Sequence, residues 1–102
     1  MTLFVLTALA RRDLEEIWDY HAAYNHKAAE CVLNEIEAAI RKLVLTPSIG
    51  HPRERLADRR HYLFPVCSYL IVYRPATRPV EIIRVLPASW DTLDLLGLAA
   101  EN

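Results

Sequence analysis

The hydrophobic period changes once along this chain, near Thr46, and that change restricts the fold more than any other feature. Before it, Leu14, Ile17, Trp18 and His21 recur at i, i+3, i+4 and i+7, the spacing of one buried helical face. Ala29, Val32, Leu33, Ile36, Ala39, Ile40, Leu43 and Val44 then form a longer stripe of the same kind. After the change, 62–66, 69–73 and 80–86 are dense in β-branched and aromatic residues, as strands are. The pattern predicts helices over about 8–23 and 27–45, with Thr7 as the first N-cap and Tyr24-Asn25-His26 as a tight break. So short a connection makes the helices an antiparallel hairpin whose stripes face one way.

The segment from Thr46 to Asp58 holds Pro47, Gly50 and Pro52 without apolar periodicity and reads as a loop. Cys67-Ser68 and Pro75–Pro79 read as the two connections of an antiparallel meander. Pro87 closes the last strand because it cannot donate to a ladder. Ser89 is placed to cap a short helix from Trp90 to Leu96, which Gly97 ends. Residues 3–6 (Leu-Phe-Val-Leu) form a first strand that joins an edge of the meander. The expected fold is α+β, in the order β-α-α-β-β-β-α, with the helical hairpin covering one sheet face. At 102 residues and 53% hydrophobic, residues 1–102 suit one domain with its own core.

No apolar run is long enough to cross a bilayer. The stretch ending Ala8-Leu9-Ala10 looks like a signal-peptidase site, but no positive charge precedes it and its apolar part is short, so it reads as strand and helix start. The two cysteines, Cys31 and Cys67, form no CxxC and have no histidine at metal spacing. They are expected to be reduced, half-buried thiols of a cytoplasmic protein. P-loop, dinucleotide, nucleophile-elbow and zinc-protease signatures are absent from the sequence, and with Gly50 and Gly97 as the only glycines a phosphate-cradling loop is excluded. No cofactor and no metal is expected. His21 reads as a core-edge histidine, and the acids of the first helix read as a solvated face.

A net charge of −1 conceals a strong asymmetry. Residues 1–46 carry five basic residues against seven acids, whereas 51–86 carry seven arginines against three acids, a local net of +4. Every basic residue after Lys42 is arginine, which favours bidentate contact with carboxylate or phosphate. Arg60 opens the second strand, Arg74 ends the third, and Arg84 lies within the fourth. Strict alternation sets Arg84 on the face of Val80, Ile82 and Leu86, opposite Ile83 and Val85. An arginine there needs a partner, such as Glu81 or a helix carboxylate, an anionic ligand, or a route for its head to water. Tyr62, Tyr69, Tyr73 and Trp90 lie near these arginines, as core residues or as stacking groups.

Several of these residues together resemble the RelE/ParE toxins of bacterial toxin–antitoxin systems. The pattern T-x-x-A-x-x-D-L-x-x-I (Thr7, Ala10, Asp13, Leu14, Ile17) is similar to the start of that family. So are L-x-x-x-P-x-x-G from Leu43 to Gly50, the strand from Tyr69 to Arg74, and Ile83-Arg-Val-Leu86 followed by Asp91. The resemblance spans about 7–96 and implies the fold above, growth inhibition, and a small cognate antitoxin that docks a helix or a strand. RelE-like members are ribosome-dependent mRNA endonucleases, and ParE-like members poison DNA gyrase. Many members read R-V-x-H-x-x-R-D at the last strand, where this chain has Pro87 for the histidine and Trp90 for the arginine. Proline cannot titrate and the indole only donates, so acid–base work is lost at both positions. The resemblance therefore favours a ParE-like gyrase toxin without chemistry of its own, contacting its target through Arg60, Arg74, Arg84 and Trp90. The alternatives are an mRNA endonuclease using Arg60, Arg74, Arg84 and Tyr73, and a silent antitoxin-binding module. Direct nucleic-acid contact stays open.

Overall fold

A computed structural model describes residues 3–52 and 61–88. The elements are β1 (Phe4–Leu6), α1 (Ala8–Ala22), α2 (His26–Leu45), a 3₁₀ turn (Pro47–Ile49), β2 (His51–Pro52), β3 (Tyr62–Val66), β4 (Tyr69–Arg74) and β5 (Val80–Pro87). The five strands lie in the order β1-β5-β4-β3-β2. Strands β2 to β5 pair antiparallel, and β1 joins the far edge parallel to β5. This is the expected α+β architecture with one strand more, because the loop after Thr46 contains the 3₁₀ turn and the two-residue β2. The short C-terminal helix expected over 90–96 lies outside the described residues.

Both helix starts follow from side-chain capping. The Thr7 hydroxyl accepts from the Ala10 amide, and the Asn25 carboxamide accepts from the Lys27 and Ala28 amides. Each bond satisfies N–H groups that a first helical turn leaves without partners. The apolar stripes of the hairpin then meet one face of the sheet. Ile17, Ile36, Ala39, Ile40 and Leu43 form one core with Tyr69, Ile71, Tyr73, Val80, Ile82 and Val85.

Two expectations are corrected here. The β4–β5 register passes from Val72↔Arg84 to Tyr73↔Ile82, so Ile83 is an extra residue in a bulge. A bulge reverses the alternation beyond it. Val85 therefore joins Val80 and Ile82 in the core, and Arg84 leaves their face. Both cysteines are exposed rather than half-buried: Cys31 is in α2, and Cys67 is in the two-residue β3–β4 turn.

Candidate functional site

The first helix delivers a carboxylate to the strand beside it. Asp13, 6% exposed, lies on the buried stripe with Ala10 and Ile17. Its Oδ2 accepts from Arg84 Nε at 2.8 Å and from the Val85 amide at 3.0 Å, while Oδ1 accepts from an Arg84 terminal nitrogen at 3.0 Å. This is a bidentate pair, the arrangement that the planar guanidinium favours. The hydrogen bond to Asp13 pushes the Arg84 pKa above its ordinary value, against the smaller effect of burial. Asp13 thus departs from the solvated face expected of the first-helix acids. Its position between Ala10 and Ile17 on the apolar stripe is the sequence signal that marks it.

Arg84 lies in the wall of a groove of about 720 Å³ between the tip of the helical hairpin and the end of the sheet. Ile17, Val32, Val85 and Leu86 give it apolar walls, and Glu16 adds an acid. His21 and Tyr69 meet inside it, Nε2 to hydroxyl at 2.9 Å, which places His21 at the core edge as expected. Burial raises the Tyr69 phenol above its usual value. Cys67 also lines this groove, and its thiol is raised by burial first, then by Glu35 and Cys31.

Tyr73 has a different setting. It is fully buried, its hydroxyl donates to the Pro47 carbonyl at 2.5 Å and accepts from the Gly50 amide at 3.0 Å. A Cβ on Gly50 would stand 2.3 Å from that oxygen, so the loop closes on the ring only because residue 50 has no side chain. Burial raises the Tyr73 phenol, and the Gly50 hydrogen bond opposes this only in part. Arg74, the next residue, alternates onto the helix-free face. Its Nε is 3.4 Å from Glu81 Oε1 and 3.4 Å from His61 Nε2, and the side chain is 40% exposed. The structure therefore separates the expected site residues: Arg74 is on the open face, Arg84 on the groove wall, and Tyr73 in the core. Arg60 and Trp90 lie outside the described residues. Among the described residues no helix is long and apolar enough to cross a membrane.

The residues that carry the family resemblance form two joints of this frame, Asp13 to Arg84 and Gly50 to Tyr73. Residues 4–91 match the family described as ParE toxin of type II toxin-antitoxin system, parDE. The chain belongs to the ParE toxin family. Among solved structures it is similar to a chain of the chromosomal ParDE TA system from P. aeruginosa, at 16% identity and a TM-score of 0.70, over 84% of this chain and 95% of that one. At that identity the likeness shows the fold. No curated protein matches the chain. Membership in the ParE family implies an antitoxin partner for this toxin.

Proposed function

We propose that this ParE-family toxin arrests growth in the bacterial cytoplasm by poisoning DNA gyrase, without chemistry of its own, and that a cognate antitoxin neutralises it. The observation that carries the reading is the family match over residues 4–91. The placement of Tyr73 supports it over the endonuclease alternative. A general acid or base must reach the proton it moves, and this hydroxyl is spent on Pro47 and Gly50 inside the core. Target contact is assigned to Arg74 with Arg60 and Trp90, and to Arg84 from its place on the groove wall.

Induction of the chain alone, followed by supercoiling and cleavage-complex assays on gyrase and by transcript mapping, tests the proposal. Gyrase-linked DNA breaks with intact transcripts are expected. Codon-linked mRNA cuts with normal gyrase would favour the endonuclease, and undisturbed growth would favour a silent binding module. Arg74→Ala is expected to fold normally and lose toxicity. A folded and fully toxic Arg74→Ala chain would remove Arg74 from the contact face.

A further inference from the structure

The groove of about 720 Å³ beside Arg84 is of the size that encloses a small organic molecule. The first helix supplies one of its sides, because Asp13, Ile17 and His21 follow one another a turn apart and Glu16 and Tyr20 run beside them. Its polar groups are largely spent on one another. Asp13 holds two nitrogens of Arg84 and the Val85 amide, so that ion pair is neutral as a unit. His21 Nε2 and the Tyr69 hydroxyl are bonded together at 2.9 Å.

What remains uncommitted is apolar wall, aromatic ring and carboxylate. Ile17, Val32, Val85 and Leu86 form the wall. The rings of Tyr20, His21 and Tyr69 stand edge to face in succession, with centroids 5.0 and 6.1 Å apart, and Tyr20 is 62% exposed at the rim. Glu16, one turn before Tyr20, is exposed and makes no hydrogen bond or ion pair among the described residues; it reaches Arg84 only as a field. Burial first, and then Glu35, raise the Cys67 thiol at the end of the groove, so a second carboxylate stands near. An anion entering here would have to take Arg84 from Asp13 and lie beside Glu16. A cation meets the opposite situation, drawn by the carboxylate through its charge and by the rings through their quadrupole.

We propose that this groove binds a small organic cation, an ammonium group carried on an apolar, ring-sized body. The ammonium lies between Glu16 and Tyr20, and the body lies against Ile17, Val32 and Leu86. The site is built from the groove alone and does not depend on gyrase being the target.

The experiment titrates the full chain with tryptamine, tryptophol and indole-3-acetate, which carry a positive, a neutral and a negative group on the same indole. Methyl and amide NMR shifts read the binding. Tryptamine is expected to shift the methyls of Ile17, Val32 and Leu86 and to bind at least about fivefold more tightly than tryptophol, with indole-3-acetate weakest. Glu16→Gln is expected to weaken tryptamine by about threefold or more and to leave tryptophol unchanged, and Tyr20→Leu to weaken tryptamine by a similar factor. Both side chains are exposed, so the amide spectrum of each variant should remain that of the folded chain. Equal affinity for the three indoles overturns the proposal in favour of an apolar protein segment, and a preference for indole-3-acetate overturns it in favour of an anion at Arg84. Groove methyls that shift with protein concentration alone assign the groove to a second copy instead. No binding of tryptamine at millimolar concentration, or shifts that spare the groove methyls, also overturns it. Each of these outcomes leaves the gyrase reading untouched, because no gyrase enters the assay.

Discussion

Replacing Asp13 by alanine probes the joint between α1 and β5 directly. The carboxylate is 7% exposed as a side chain and makes three bonds, two to Arg84 and one to the Val85 amide. Alanine leaves that amide without its acceptor on a strand whose Val85 is 1% exposed, a loss of about 1–2 kcal/mol. The ion pair adds less than a fully buried one, which would cost about 3–5 kcal/mol to break. The Arg84 side chain is 33% exposed and keeps water on one side, so about 1 kcal/mol is assigned to its loss. Together these give a destabilisation of about 2–3 kcal/mol. For a domain of this size that lowers Tm by roughly 10–20 °C. Urea and thermal unfolding of wild type, Asp13→Ala, Arg84→Met and the double variant measure it, with a coupling of about 1 kcal/mol. Arg84→Met is expected to destabilise as well, because it leaves a carboxylate that is 7% exposed without its cation and with only the Val85 amide as a partner. A loss below about 1 kcal/mol for Asp13→Ala, or no coupling to Arg84, would refute the reasoning.

Gly50→Ala forces a methyl group against the Tyr73 hydroxyl and ring, and is expected to cost about 1–3 kcal/mol in urea unfolding. Tyr73→Phe removes the nearest clashing atom, the hydroxyl, but keeps the ring and leaves the Gly50 amide unsatisfied, at about 1–2 kcal/mol, so Gly50→Ala placed in the Tyr73→Phe background costs somewhat less than it does alone. The raised phenols of Tyr73 and Tyr69 make the protein sensitive to alkali. Their folded pKa values lie above the unfolded one, so the stability they contribute is complete below about pH 10 and is lost as pH rises through the folded values. The phenolate absorbance that Tyr69→Phe and Tyr73→Phe remove should appear only together with a loss of circular dichroism, above about pH 10, and its appearance with the fold intact would contradict this. Cys67 is the one non-glycine residue with positive φ among the described residues, at 54°. Cys67→Gly is expected to stabilise by up to about 1 kcal/mol, since glycine enters that region without the Cβ penalty, and an unchanged midpoint in urea would count against strain in the turn.

Both helices were legible because their signals are local. Thr7 and Asn25 cap from positions next to the helices they start, and the stripes of α1 and α2 repeat within one or two turns. The strands of the meander were legible from composition, and their order from short connections. Strand β2 was not, because two residues carry no period and His51 pairs with Leu63 across the loop. The candidate site was read in part: arginine-bearing strands were evident, but which arginines are open and which are engaged was not.

By itself the sequence determined both helices and every described strand but β2, their order, the single sheet with one covered face, and the family to which the chain belongs. All of these follow from periodicity, capping and short motifs, which act over a few residues. The tertiary structure decided the rest. One inserted residue at Ile83 exchanged Arg84 for Val85 in the core, a consequence of a period of two that no local preference can foresee. Asp13 and Arg84 stand 71 residues apart, and Gly50 and Tyr73 stand 23 apart. Their contacts depend on which strands lie under which helix, so a carboxylate that looks solvated and a tyrosine that looks available become structural only when the chain closes on them.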